Sequence, residues 1–347
     1  MLDRTVKPSV CESDPLNRDF FPKNPPVIGV VVPCYNEMEA LPYAAEKLGG
    51  KLLWLGAEKI ISRKSKIFFV DDGSTDSTWR LIEQYHTENP ALFCGIKLSG
   101  NRGHQNALLA GLLAAKNYCD AAVSIDADLQ DDITVIDRMI QQYAAGCEIV
   151  YGVRSDRTSD TAFKRITAQG FYRFMRFLGV DMVFNHADFR LMGKQALEAL
   201  SRYQEVNLFL RGIVPLLGYK TGVEYYARAE RIAGASKYPL RKMLAFSLEG
   251  ITSFSVKPIR LITLLGITLF TASMGMIAYF LARHFSGQTV QGWSSTIVSI
   301  WGIGGLILFS IGVVGEYTGK IYLETKRRPR YHIEQFLYQQ GENDENI

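Results

Sequence analysis

Residues 121–132 read AAVSIDADLQDD, and the parsing of this stretch decides what the rest of the chain can be. Its apolar opening, Ala121-Ala122-Val123-Ser124-Ile125, has the length and composition of a buried strand. It then breaks into Asp126, Asp128 and Gln130, oxygen-bearing side chains at alternate positions. Carboxylates at the carboxyl end of a strand sit where open α/β sheets bind ligands. Oxygen ligands without nearby Cys or His suit Mg²⁺ or Mn²⁺ rather than zinc, and such ions usually hold substrate phosphates as well. Taken alone, the segment reads equally well as a solvated acidic turn.

Working outward, short apolar runs alternate with helix-like stretches across residues 27–151. VIGVVVP precedes a helix near 39–51, KIFFVDD one near 76–86, LFCGIKL one near 105–117 and AAVSIDAD one near 133–145. This alternation predicts an α/β domain with a mostly parallel sheet and helices on both faces. Residues 188–192 and 219–226 read as further strands.

The first four strands each end in a polar loop: Pro33-Cys34-Tyr35-Asn36-Glu37, Asp71-Asp72-Gly73-Ser74-Thr75-Asp76, Ser99-Gly100-Asn101-Arg102-Gly103-His104, and the Asp126 cluster. Together the four loops outline one site and are more specific than any one of them. Alone, the second loop also has a lesser reading as a helix start capped by Ser74 or Thr75 with Asp76 at the positive helix end. Asp71 or Asp72 otherwise offers an acceptor for a nucleobase imide or a ribose hydroxyl. Gly103-His104 is a tight helix start, or else sets His104 near a phosphate.

Hydrophobic residues make up 47% of the chain and are unevenly spread. Residues 261–282 and 285–315 contain no Asp, Glu, Lys or Arg, and each is long enough to cross a hydrocarbon core of roughly 30 Å as a helix. Lys257 and Arg260 precede this pair and Lys326, Arg327, Arg328 and Arg330 follow it, which predicts a two-helix transmembrane hairpin with both ends cytoplasmic. Residues 161–179 interleave Lys164, Arg165, Arg173 and Arg176 with Phe163, Phe171 and Phe174, and residues 241–257 are also amphipathic. Both are expected at the membrane interface, the first with a sheet-packed helix as its alternative. The opening residues are charged and proline-rich, so no signal peptide is expected. Five cysteines without CxxC spacing read as ordinary core residues. The net charge of +4 gathers near the apolar segments, which suits membrane lipids rather than nucleic acid. The expected division is a flexible tail (1–26), a catalytic domain (27–230), a mobile loop with an interface helix (231–260), the hairpin (261–316) and a cytosolic tail (317–347).

The ordered motifs VVPCYNE, DDGSTD, SGNRGHQNA and DADLQDD, followed by two apolar segments, resemble the glycosyltransferase family 2 polyisoprenyl-phosphate glycosyltransferases over about residues 26–330. The nearest likeness is to the bactoprenol (undecaprenyl-phosphate) glucosyltransferase group, through Gly152-Val153-Arg154, Phe163-Lys164-Arg165, Asp188-Phe189-Arg190 and Ser236-Lys237-Tyr238-Pro239. The resemblance implies a GT-A fold and transfer, with inversion, of glucose from the nucleotide sugar UDP-glucose to undecaprenyl or another polyprenyl phosphate. GDP-mannose, UDP-N-acetylglucosamine and a modified arabinose donor stay open. Carried over by position, Pro33, Tyr35, Glu37, Asp71, Asp72 and Asp126 would hold the nucleotide, and Asp126, Asp128 and Gln130 a divalent cation. The chain departs from the family pattern at Asp132, where Pro is common, and in its longer amino-terminal tail.

Two dianionic phosphates brought together demand cations. The candidates are Arg154, Lys164, Arg165, Arg190, Arg211 and Lys237, each individually also readable as a surface charge. Lys237, in a Gly-Ala-Ser-Lys-Tyr-Pro segment, would close over the diphosphate, and with Arg154, Asp128 and Asp188 it completes the expected catalytic set. Asp188 would orient the acceptor or act as base, unless it is a structural partner of Arg190. A processive synthase reading lacks the Gln-x-x-Arg-Trp signature, and a non-catalytic sensor reading sits poorly with intact Asp126 and Asp128. Gly302, Gly304, Gly305 and Ser310 would allow close helix packing, so a homo-oligomer is expected.

Overall fold

The computed structural model describes residues 24–154, 186–206, 208–227 and 293–339, with residues 259, 262–268, 271 and 275. Eight strands, β1 (Ile28–Cys34), β2 (Lys66–Asp71), β3 (Phe93–Leu98), β4 (Ala121–Ser124), β5 (Ile149–Arg154), β6 (His186–Gly193), β7 (Thr221–Tyr226) and β8 (Ile333–Leu337), form one sheet in the order β7-β5-β6-β4-β1-β2-β3-β8. β1 runs parallel to β2 and β4, β2 to β3, and β5 to β7. β6 is antiparallel to both β4 and β5, and β8 is antiparallel to β3. The sheet is therefore mixed, the GT-A form of a Rossmann-like sheet. The carboxyl ends of β1 to β5 and β7 share one edge with the amino end of β6.

β1, β2 and β4 are buried along their whole length, as strands covered on both faces must be. On one face α1 (Leu41–Ala57) and α4 (Val135–Ala144) bury Leu41, Leu48, Leu52, Val135, Met139 and Ile140 against Ile28, Val30, Phe69 and Val123. On the other lies α3 (His104–Ala115), where a Cβ at Gly111 would run into the side chains of Val31 and Val70. Glycine there lets the helix axis approach the sheet, and so brings the amino end of α3 to the site edge. The remaining helices of this unit are α2 (Thr78–Glu88), α5 (Lys194–Ser201) and α6 (Leu210–Leu216).

Pro33 sits inside central strand β1 without breaking it. Val31 O accepts the Ile125 N–H on the β4 side. Two residues on, Pro33 faces the same side after the β4 ladder has ended, so no donor is missed.

One region differs from the sequence expectation. The stretch 317–347, read as a cytosolic tail, begins inside α7 (Trp293–Lys326) and returns as β8. β8 is short and mostly exposed, so its own pattern carries no strand signal; pairing with β3 makes it a strand. His332 O accepts the Ser99 N–H at 3.0 Å, and Tyr338 stacks on Tyr118 with centroids 3.9 Å apart.

The chain divides into two compact units, the sheet with its flanking helices and a second one made of residues 166–181 and 238–328. In the second unit, Ile303–Lys326 within α7 is, among the described residues, the one helical stretch long and apolar enough to cross a membrane. Its apolar side chains stand exposed at successive positions, with Ile307, Leu308 and Phe309 between 53% and 72% accessible. The first expected span, 261–282, falls mostly outside the described residues, although 262–268 are helical.

Candidate active site

The shared sheet edge gathers the loops that the motifs pointed to, and side chains from each loop lock its neighbour. Asn36, at φ 54, donates its N–H to Ser74 Oγ at 2.9 Å and accepts the Thr75 N–H on Oδ1 at 2.8 Å. Glu37 N–H reaches Thr78 Oγ1 at 2.9 Å. Asp76, rather than Ser74 or Thr75, starts α2, because its Oδ1 accepts both the N–H and the hydroxyl of Thr78. Burial would raise the Asp76 carboxyl, but the hydrogen bonds from Thr78 and Met38 hold it below its ordinary value.

Asp71 and Asp72 are 0% and 2% exposed. Asp72 Oδ1 accepts the Arg102 N–H at 2.7 Å and Oδ2 the Gly103 N–H at 2.9 Å, so this carboxylate ties the third loop to the second. Asp71 accepts the Ser74 N–H on both oxygens at a long 3.3 Å, and the Ser74 side chain bonds to it as well. Desolvation raises both carboxyls, against the pull of those N–H groups. Tyr35, by contrast, stands 45% exposed at the end of β1.

At the end of β4 the backbone takes an unusual path. Leu129 adopts φ 42, a left-handed conformation uncommon for a branched residue and a mark of local strain. This breaks the alternation that would set Asp126, Asp128 and Gln130 on one side: the Gln130 side chain turns inward and is 3% exposed. Asp126 and Asp128 remain partly open. Asp126 keeps 41% of its side chain accessible. Desolvation by the surrounding protein, with Asp188, Asp131 and Asp128 nearby, still pushes it up to about 6 while His104 pulls the other way. Asp132 starts α4 by accepting the Thr134 N–H at 2.9 Å.

β6 delivers Asp188 to the same place, because Ser124 pairs with Arg190 across β4 and β6. Asp188 is the hub of a cationic cluster. Arg190 Nη2 reaches its Oδ1 at 2.6 Å, Arg211 grips both oxygens at 3.1 and 3.0 Å, and His104 Nε2 lies 3.7 Å from Oδ2 and 3.5 Å from Asp126 Oδ1. Burial would raise Asp188, yet His104, Arg190 and Arg211 together hold it well below the usual carboxylate range. The same carboxylates outweigh burial at His104 and lift its imidazole above its ordinary value. Gln105 Oε1 accepts the Leu210 N–H at 2.9 Å, which fixes the start of α6 and hence Arg211. Arg190 is not the surface charge that sequence alone allowed: it is 1% exposed, beneath Asp188.

Arg154, at the end of β5, reaches Asp131 Oδ1 through Nε at 3.2 Å and Nη2 at 2.9 Å, and Tyr226 donates its hydroxyl to the same oxygen at 2.6 Å. Asp131, Tyr226, Asn36 and Gln105 were not among the residues expected at the site. Tyr226 closes β7 on the same edge, so the strand-end rule that pointed to Arg154 points to it as well. Lys164, Arg165 and Lys237 lie outside the described residues, as do the two amphipathic segments.

The site can be tested for the divalent cation that its chemistry implies. Asp126 and Asp128 are both accessible, and the crowding of carboxylates that raises Asp126 is what a cation relieves. Among the described residues no group of three or more His, Cys, Asp or Glu side chains is placed to hold a metal. Two carboxylates with the remainder from substrate phosphate and water match how Mg²⁺ and Mn²⁺ bind. The residues fit.

The glycosyl transferase family 2 model matches residues 29–201, which covers β1 to α5. An uncharacterized glycosyltransferase of Bacillus subtilis is 54% identical over 90% of this chain and 93% of its own length. A bactoprenol glucosyl transferase of Shigella phage SfX is 40% identical over 88% of this chain and 98% of its own. A prophage bactoprenol glucosyl transferase homolog of Escherichia coli is 39% identical over 88% and 98%. Among solved structures, a mannosyltransferase from Pyrobaculum calidifontis aligns with 87% of this chain and 86% of its own at 16% identity and a TM-score of 0.45. With the family model matched from β1 to α5 and relatives of this similarity over about nine-tenths of the chain, the chain is a glycosyltransferase that belongs to glycosyl transferase family 2.

Proposed function

We propose that this glycosyltransferase moves a hexose, glucose from UDP-glucose, onto undecaprenyl phosphate at the cytoplasmic face of a bacterial inner membrane, with inversion and with a divalent cation. The observation that carries the reading is the pairing, at one sheet edge, of two accessible carboxylates, Asp126 and Asp128, with Arg211 and the His104 imidazole around Asp188. That is the charge pattern two phosphates need when they meet. The names of the bactoprenol glucosyl transferases among the relatives support a polyprenyl phosphate as acceptor. The exposed apolar length of α7 suits a lipid setting.

In the reaction, the bond from the sugar C1 to the donor β-phosphate oxygen breaks, a bond from C1 to an acceptor phosphate oxygen forms on the opposite face, and UDP departs. The cation, held by Asp126 and Asp128, would act as a Lewis acid that neutralises the leaving diphosphate. Tyr35 and the Asp71 carboxylate at the ends of β1 and β2 would receive the nucleoside. A phosphate monoester is mostly dianionic near neutral pH, so its oxygen attacks without a strong base. Asp188 suits this economy: held as a carboxylate by Arg190 and Arg211, it is a poor base and a firm anchor for Arg211 and His104. Lys237 would close over the diphosphate.

The test uses purified full-length protein, radiolabelled UDP-glucose and undecaprenyl phosphate with Mg²⁺ or Mn²⁺, with solvent-extractable label as the readout. No labelled lipid from this or any common nucleotide sugar would sink the proposal.

A further inference from the structure

We propose that Asp131 and Tyr226 are positioning residues that hold the Arg154 guanidinium ready for the acceptor's phosphate, an inference that rests on the transfer reading above. The single oxygen Asp131 Oδ1 takes three donors, Arg154 Nε and Nη2 and the Tyr226 hydroxyl, within 3.2 Å. Arg154 Nε also lies 3.4 Å from the Tyr226 oxygen, so the three groups close a ring of contacts. Asp131 and Tyr226 are each 3% exposed, whereas the Arg154 side chain keeps 29% of its surface open. The two supports are buried and the supported group is not.

The placement is over-determined. Arg154 and Tyr226 are register partners on β5 and β7, and the Tyr226 ring packs edge-on against Phe189, the residue after Asp188, with centroids 5.5 Å apart. Asp131 arrives from the loop after β4, three residues beyond Asp128. One cradle therefore joins the carboxylate loop, β5, β6 and β7. A buried ion pair adds little net stability, and a phenylalanine would pack against Phe189 as well as tyrosine does, so core packing alone does not call for this arrangement. What it supplies is a pre-set guanidinium. A free arginine loses rotamer entropy on ordering, and fixing it beforehand removes that loss from binding.

Topology selects the phosphate. Arg154 lies on β5, separated from β4 by β6 and on the opposite side from β1, β2 and β3, whose loops the transfer reading assigns to the nucleoside. A phosphate on that far side is the acceptor's.

The experiment measures initial rates of the full chain in detergent, with labelled UDP-glucose, undecaprenyl phosphate and Mg²⁺, varying each substrate in turn. Tyr226→Phe and Asp131→Asn are each expected to raise the acceptor KM about tenfold with the donor KM within about twofold, the size seen when an outer support of a binding group is removed. Paired with Arg154→Ala, either variant should add no further loss. An unchanged acceptor KM, an equal rise in both KM values, or losses that multiply with Arg154→Ala would overturn the cradle. Tyr226→Phe, which keeps the ring against Phe189, carries the test if Asp131→Asn does not fold. An inactive wild type overturns the transfer reading and the cradle with it; an active wild type with unshifted variants overturns the cradle alone.

Discussion

A Cβ at Gly73 would lie 2.6 Å from the backbone nitrogen of Asn101, so the β2 and β3 loops meet main chain to main chain where only a hydrogen fits. Gly73 also holds φ +69. Gly73→Ala is expected to cost roughly 2 kcal/mol or more of stability and to weaken UDP binding. Gly100→Ala, with nothing within 4 Å of its Cβ, is the neutral control. Chemical unfolding and calorimetric titration with UDP read both effects.

Asp188→Asn removes the counter-charge from Arg190, which is 1% exposed. A loss of about 3–5 kcal/mol is expected, the usual cost of a buried charge left without its partner. Arg211→Ala should cost less, since Arg211 is 34% exposed and Asp188 would keep Arg190. The folded-state value of Asp188 is depressed, so its contribution is present above about pH 4 and is lost as the pH falls below that. The gap in unfolding midpoint between wild type and Asp188→Asn should therefore narrow in acid.

Asp126 behaves in the opposite sense. Its folded value is raised to about 6, so the stability it gives is present below the unfolded value near 4 and is lost as the pH rises through 6. In chelator at pH about 7.5, Asp126→Asn should melt higher than the wild type, and at pH about 4.5 the difference should shrink. The same variant should abolish transfer and remove the stabilisation that added Mn²⁺ gives the wild type. A thermal-shift series over pH and Mn²⁺ concentration decides it.

Tyr338 closes the sheet edge by stacking on Tyr118, with Lys66 Nζ 5.2 Å from the ring centre. Tyr338→Ala is expected to cost about 1–2 kcal/mol and to speed hydrogen exchange at the Ser99 N–H, which His332 protects. Unchanged exchange at Ser99 would mean that the returning strand does not depend on that stack.

Much of this was legible in the sequence. Strand ends predicted which loops would meet, and the alternation of apolar runs placed α2, α3 and α4 to within a few residues but ended α1 early, at 51 rather than Ala57. The misplaced details share one cause, contacts made by residues far apart in the chain. The spacing of Asp126, Asp128 and Gln130 assumes extended backbone, and Leu129 at φ 42 breaks it. Nothing local says that Asp72 spends both oxygens on the N–H groups of Arg102 and Gly103. Arg190 and Arg211 look alike as letters, and only the antiparallel placement of β6 buries the first, while the second, on α6, stays partly exposed. β8 has no strand pattern of its own and exists because β3 offers it an edge.

The ties that build the site have a consequence for how it comes into being. Asp72 reaches a residue 30 positions on, Asn36 one 39 positions on, Arg211 joins a residue 23 positions back, and Tyr226 one 95 positions back. On the proposed assignment, the loops that would receive the nucleoside follow β1, β2 and β3 in the first half of the chain, and the groups that would meet the phosphates wait for β6, α6 and β7. During synthesis, then, the place proposed for the nucleotide would form before the groups proposed to act on it, and a fragment ending near residue 154 is expected to bind UDP without turning over any sugar.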